Sequence, residues 1–471
     1  WSHRFSRQPE IQAYLEHCAD RHGLRDRIRL NAEVVQARFH PGEDRWHLHT
    51  KDGQHVVARF LVHAVGGLKD PRYPAIDGLD EFRGPCLHSS RWDHQVSLAG
   101  QRIGVIGTGA SAIQIVPALA PTAGHLHVFQ RTPPWVADRN DHPYSERTKR
   151  WLRRFPAAMR LHRLAIYAAL EARYPLVFGH DTPVGSAYAW NLRRRIRRDF
   201  AHDPALAEAL VPDYRLGCKR ILLSDDWYPA LARPDVTLHT TPIARVEPEG
   251  VRLADGRALE LDALVLCTGF TVERPLGDME VYGSDGQELS QRWGDRPSAY
   301  LGIAVPRCPN AFILLGPNTA LGHNSVIVMI EAQVEYVLQA IHYVLQRPEL
   351  AAIDVDEAAL ERFVAEVDRR HAGQVWQSGC HSWYLSADGT NTTLWPGSTV
   401  EYVARTRRFD PGVYRKPRRR PPGEPDRGEP DRAEPDRAEP NARAEPDRGE
   451  SNARAEPDAQ AESDAASGTP R

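Results

Sequence analysis

Polar and apolar positions alternate over Arg45–His49, and short apolar runs bounded by turn residues occupy Val57–His63 and Leu261–Leu266. Period-two alternation and brief apolar runs between Gly/Asp turns both predict β-strands. The two runs sit in matching surroundings. Asp52-Gly53 precedes the first, which leads into Ala64-Val65-Gly66-Gly67; Asp255-Gly256 precedes the second, which leads into Cys267-Thr268-Gly269-Phe270. In both, the Asp-Gly turn and the strand-ending glycine lie fourteen positions apart. Strand-like segments precede each copy, Ile28–Phe39 and Arg45–His49 in the first, Val236–Val246 and Val251–Leu253 in the second. The chain thus reads as two copies of one unit: strand, small hairpin, buried strand, glycine.

Between the copies, Arg102-Ile-Gly-Val-Ile is a short buried strand that runs into Gly107-Thr108-Gly109-Ala110-Ser111-Ala112 and then an apolar helical pattern at Ile113, Ile115 and Val116. A G-x-G-x-x-A turn between strand and helix is a dinucleotide signature. The first glycine makes the tight turn, the second lets a pyrophosphate approach the backbone, and the alanine permits close helix–strand packing. Gly107, Thr108, Gly109, Ser111, Ala112 and Gln114 are the candidate contacts. The next strand, His125–Phe129, ends in Gln130-Arg131-Thr132 with no carboxylate to hold a ribose 2′-hydroxyl. Arg131, with Thr132 beside it, instead suits a 2′-phosphate, so NADPH is expected over NADH. Residues 142–205 carry Arg, Leu, Ala and Tyr at helical spacing and read as a helical excursion.

Composition changes this picture little. Of 471 residues, 41% are hydrophobic and 26% charged, and the net charge of −2 argues against nucleic acid as a partner. The six cysteines form no CxxC pair, so no disulfide framework is expected and a cytoplasmic location fits. Ser325–Leu345 contains Glu331 and Glu335 and reads as a buried helix, not a membrane span. The His-Leu-His triplets at 47–49 and 125–127 lie on strands, and His323 has no ligand cluster at suitable spacing, so no metal is expected. From Val413 onward Glu-Pro-Asp-Arg recurs with almost no apolar residues, and 413–471 is expected to be disordered. The chain opens on Trp1 in mid-pattern and is expected to be N-terminally truncated.

Upstream of the glycine loop stands Phe82-x-Gly84-x-x-x-His88-Ser89-x-x-Trp92-Asp93. Here the sequence resembles the Baeyer–Villiger monooxygenases, class B flavoproteins with the fingerprint F-x-G-x-x-x-H-x-x-x-W followed by P or D. The resemblance runs from Trp1 to about Asp410 and includes Trp1-Ser-x-Arg-Phe-x-x-Gln-Pro-Glu-Ile, Cys218-Lys219-Arg220-Ile-Leu-Leu-Ser-Asp-Asp, Gly316-Pro-Asn318-Thr-x-x-Gly322-His323-Asn324 and Ser382-Trp383-Tyr384. With Leu394-Trp-Pro-Gly397 these look most like the hydroxyacetophenone-type branch.

The resemblance implies an α/β fold of two Rossmann-like domains, the NADP domain inserted in the FAD domain. The expected spans are 1–94 and 236–412 for the two parts of the FAD domain, 95–235 for the NADP domain with its excursion, and 413–471 for the tail. It implies FAD and NADPH as cofactors, a ketone and O2 as substrates, and an ester or lactone formed through a flavin peroxide. Lys219 would hold NADP phosphate, Arg220 would be the catalytic cation, and Trp383 and His88 would help organise the closed state. Val34, Gly66, Gly316 and Asn318 would contact FAD. The family's N-terminal FAD finger is expected before Trp1. Physical reasoning supports the two cations independently. Arg220 stays charged at any working pH, and on extended backbone Lys219 and Arg220 point to opposite sides. Asn324 or Ser325 would cap the following helix. Two other readings stand beside this one: a sulfur or nitrogen oxygenase, and a non-catalytic fragment that binds NADP. A membrane-surface role for the helical segment 150–180 is a weaker third.

Overall fold

The run Ala263–Leu266 is apolar at every position because both its faces and both its edges are covered. It lies between Arg102–Ile106 and Cys86–His88, and His125–Phe129 and Val236–His239 extend the sheet beyond Arg102–Ile106. All five strands are parallel. A parallel sheet packed on both faces needs such continuous hydrophobic strands. Ala112, Ile113 and Val116 of the helix Ala112–Leu119 pack on it, with Trp227, Ala230 and Leu231 of the short helix Trp227–Leu231. This is a computed structural model of the chain, and it describes residues 1–178, 182–272, 276–379, 382–386 and 388–418.

The two repeat copies form the same local structure. In the first, Val34–His40, Arg45–Thr50 and His55–Ala58 make an antiparallel meander, and Leu61–His63 then leaves it to pair in parallel with Ala311–Ile313. In the second, Ile243–Glu247, Gly250–Leu253 and Ala258–Glu260 make the meander, and Ala263–Leu266 enters the parallel sheet. Two sequence expectations shift. The strand expected from Ile28 begins only at Val34, because Asn31 adopts a left-handed turn (φ 57°). The nucleotide sheet also takes Cys86–His88, Val236–His239 and Ala263–Leu266 from outside the expected 95–235 span, since its centre is closed by hydrogen bonds to strands distant in sequence.

The excursion is helical, with Glu146–Arg154, Pro156–Glu171 and Pro183–Asp199 capped or opened by Ser145, Pro156 and Thr182. The remaining core packs Val326–Leu345 against Glu357–His371 and Thr399–Thr406. The start expected for the tail needs correction. Tyr414–Arg415 pairs with Asp354–Val355, Tyr414 is buried in this core, and Arg415 meets Asp354 at 2.7 Å. An aromatic side chain and an ion pair thus anchor the segment that begins at Val413; residues 419–471 lie outside the described residues. Among the described residues no helix is long and apolar enough to cross a membrane.

Candidate active site

The glycine loop sits at the carboxyl end of the parallel sheet, where open α/β sheets bind ligands. Gly107 has φ +108°, and a Cβ there would come within 2.5 Å of the Cys267 carbonyl oxygen. Only glycine fits both demands. A Cβ at Gly109 would meet nothing within 4 Å, which leaves open space above the loop. The helices starting at Pro183, Val326, Glu357 and Thr399 are each capped by a side chain, but the one at Ala112 is not. The amides of Ile113, Gln114 and Ile115 are taken by the Gly109 and Ser111 carbonyls, so an anion would meet the loop ahead of them, at the positive end of the helix. Thr108 donates its hydroxyl to the Thr132 carbonyl at 3.0 Å, which ties the loop to the end of the next strand. Ala112 is fully buried, whereas the Gln114 side-chain amide folds back onto the Ala110 carbonyl of the glycine loop.

Arg131 and Lys219, distant in sequence, come near enough for the charge of one to act on the other. Burial first, and the Arg131 charge second, hold the Lys219 ammonium below its usual range, with Asp213 opposing weakly. The Lys219 Nζ also lies 4.7 Å from the centre of the Tyr214 ring. A cation held down by a second cation more than Asp213 relieves it makes a site that an anion would relax.

Arg220, the next residue, follows a bend at Cys218 and Lys219 and not the extended backbone expected from the sequence. It is exposed, and its charge acts on Tyr384. Burial pushes the Tyr384 phenol up to about 12, and Arg220 opposes that rise. Trp383 packs against Tyr384 with ring centres 4.5 Å apart and stays 43% exposed. Arg220 and the Trp383 loop, separated widely in the chain, are thereby brought together. Cys218 beside them is disulfide-bonded, which the scattered cysteines did not lead one to expect.

The fingerprint has a structural logic. Phe82 packs beside the second meander, and Gly84 passes the Asp262 carbonyl so closely that a Cβ would sit 2.3 Å from its oxygen. Trp92 packs on the sheet core. His88 is buried; its Nδ1 accepts from the Ser90 amide at 3.2 Å, so its Nε2–H donates to the Gly269 carbonyl at 3.1 Å. Burial holds its pKa below the usual value. None of the contacts of His88 reaches Arg220 or Trp383, and it acts on the glycine that ends the second repeat.

Gly66 ends the first repeat's return strand in a left-handed conformation, and Val34 begins its meander, half-buried. The Gly316–Asn324 loop leads to Ser325, whose hydroxyl caps the helix at Val326, so Ser325 and not Asn324 is the cap. Gly316 lies against the Gly302 carbonyl. Asn318 spends its amide on the Asn391 and Leu394 carbonyls at 2.7 and 3.3 Å, so it shapes the loop and has no donor left for a flavin. Sequence reasoning missed Glu171 altogether. It accepts from Asn324 Nδ2 at 2.8 Å and from the Thr399 amide and hydroxyl at 2.6 Å each, and it stands 3.5 Å from His323. Burial pushes its carboxyl up, but these partners outweigh burial and hold it below the usual range. No local pattern marks a glutamate at the end of an ordinary helix.

Comparison with known proteins agrees with this geometry. Residues 2–172 match the family model described as pyridine nucleotide-disulphide oxidoreductase. A Baeyer–Villiger monooxygenase of Pseudomonas aeruginosa is 42% identical over 416 residues, covering 88% of this chain and 78% of that protein. A crystal structure of OTEMO complexed with FAD and NADP superposes with a TM-score of 0.79 at 29% identity, covering 88% of this chain and 86% of that one. Cyclohexanone monooxygenase from Rhodococcus sp. Phi1, bound to NADP+, gives a TM-score of 0.78 at 27% identity over 88% and 86% of the two chains.

Proposed function

The chain belongs to the Baeyer–Villiger monooxygenases, and from that premise we propose that it uses FAD and NADPH to insert one oxygen atom of O2 beside a ketone carbonyl, giving an ester or lactone. The observation that carries the reading is the splitting of two neighbouring cations. The Arg131 charge acts on Lys219 at the nucleotide loop, while the Arg220 charge acts on Tyr384, whose ring packs against Trp383.

Bound flavin supplies the redox and oxygen-activating chemistry; the chain supplies position and field. The Gly107–Ala112 turn holds the NADP diphosphate at the positive end of the helix, and Arg131 and Lys219 hold the 2′-phosphate. Gly66, Val34 and the Gly316 loop form the flavin side. The Arg220 guanidinium stabilises negative charge that develops on the substrate oxygen. Trp383 lies over this region and limits water entry. His88 is a positioning residue that sets the Gly269 strand end against the fingerprint linker.

The test is product analysis with FAD present, matched aryl ketone and aryl sulfide substrates, and NADPH against NADH. Ester from the ketone, with NADPH preferred, is expected. Arg220→Ala is expected to lower ester formation by about 100- to 1,000-fold while leaving NADPH binding unchanged. Sulfoxide without ester would replace this reading with heteroatom oxidation. NADPH binding with neither product would leave a nucleotide-binding protein.

A further inference from the structure

A second group of chemically capable side chains lies outside this site, on the outer face of the first meander. The strand Val34–His40 ends at His40, the turn carries Glu43, and Arg45–Thr50 brings back His47. In the register of the hairpin Arg38 faces His47 and His40 faces Arg45, which places His40 and His47 diagonally on one face. Their ring centres are 4.0 Å apart, and His47 Nε2 lies 3.0 Å from Glu43 Oε2. One ligand atom from each of His40, Glu43 and His47 falls within 4.8 Å of the other two.

From this arrangement we propose that His40, Glu43 and His47 bind a divalent first-row transition ion such as Zn2+. Two imidazoles and one carboxylate are borderline donors that suit Zn2+, Ni2+ or Cu2+ and not Mg2+ or Ca2+. Ligand atoms around a tetrahedral Zn2+ are roughly 3.3 Å apart, from bond lengths near 2.0–2.1 Å. The His47–Glu43 pair is already at that spacing, and His40 has only to swing closer. A ligating imidazole needs a partner on its other nitrogen to fix its orientation. His47 has one: its Nδ1 lies 3.1 Å from His55 Nε2, and His55 in turn stacks on His49 at 4.8 Å. Arg38, the cation opposite His47, is drawn aside over the Tyr282 ring at 3.7 Å. The glutamate is held in place by its turn, where the Glu43 amide donates to the His40 carbonyl at 3.1 Å. The hairpin thus presents three ligands and an oriented second partner, with the remaining coordination positions open to water.

The His-Leu-His triplet at 47–49 does not reveal this: His47 and His49 share one face of the strand, but only His47 belongs to the cluster. The other ligands come from across the hairpin. The site lies at the far end of the strand from Val34, roughly 20 Å along an extended chain, so ketone oxidation does not depend on it.

The experiment is calorimetric titration of tag-free, chelator-treated protein with ZnCl2, and with MgCl2 as the control. One Zn2+ per chain and no Mg2+ binding are expected, with affinity at least tenfold weaker in His47→Phe and Glu43→Gln and intermediate in His55→Phe. His127→Phe, in the separate histidine group of His127 and His239, serves as the matched control and should bind as the parent does. Co2+ in place of Zn2+ should give visible absorption bands that His47→Phe removes. Unchanged affinity and stoichiometry in both His47→Phe and Glu43→Gln would overturn the proposal, as would a loss confined to His127→Phe. Glu43 is an exposed turn residue, so Glu43→Gln remains decisive if His47→Phe folds poorly.

Discussion

The two repeat copies carry one pattern into two different surroundings. Val62 and Val265 occupy the same place, each four positions before its strand-ending glycine, yet Val62 is 39% exposed and Val265 fully buried. Ala263–Leu266 has a strand on each side, whereas among the described residues Leu61–His63 pairs with a single strand, Ala311–Ile313. Where the second copy has Leu266, the first has His63, a buried imidazole whose Nε2 has no hydrogen-bond partner. The Asp-Gly turn and the alternation dictate the hairpin in both copies. How deeply the return strand is buried is decided by partners elsewhere in the chain.

The comparison breaks most clearly at the nucleotide loop. If the half built on the second copy holds NADP by itself, Arg131→Ala should weaken NADPH about 10- to 100-fold, the worth of a charge-assisted phosphate contact. FAD affinity and NADH affinity should hardly change; equilibrium titration of all three checks this, and a parallel loss of FAD would show that the halves do not act separately. Next comes the valine pair. Val265→Ala should cost about 2 kcal/mol in urea unfolding, because the lost methyls leave a cavity among fixed neighbours. Val62→Ala should cost less than about 0.5 kcal/mol, and equal costs would erase the distinction.

The smallest effect is at His63. Burial pushes its pKa down to about 4, so between that value and the ordinary histidine range the unfolded chain takes up a proton that the folded chain refuses. Its contribution to stability is complete above about pH 6.5 and is lost as pH falls toward 4. His63→Leu, which copies Leu266, should recover about 1 kcal/mol at pH 5.5 and little at pH 8. Unfolding curves at the two pH values check the sign; an equal gain at both would point to packing alone.

Much of this was legible from local chemistry. The glycine turn at Gly107, the repeat and the missing carboxylate after Phe129 follow from spacing and backbone geometry. What was not legible depends on tertiary partners. Nothing near Glu171 announces that it will gather Asn324 and Thr399. Nothing near Asn318 shows that its amide is spent on the 391–394 segment. Nothing near His88 shows that its imidazole is bonded to the Gly269 carbonyl, far along the chain. Tyr414 lay at the edge of a proline-rich repeat, and only its burial shows that the core extends that far.

The order of strands in the parallel sheet also sets a timetable. One of its inner strands, Ala263–Leu266, comes late in the chain: Asp262, next to that strand, accepts from the amide of Arg102 across 160 residues. During synthesis at about 5–20 residues per second, the strands at Cys86 and Arg102 wait roughly 10–30 s for the partner that joins them. Over that interval two apolar strand edges stand open, the condition under which nascent chains associate wrongly. The protein should therefore gain more in yield from slow translation or chaperones than its final stability alone would indicate.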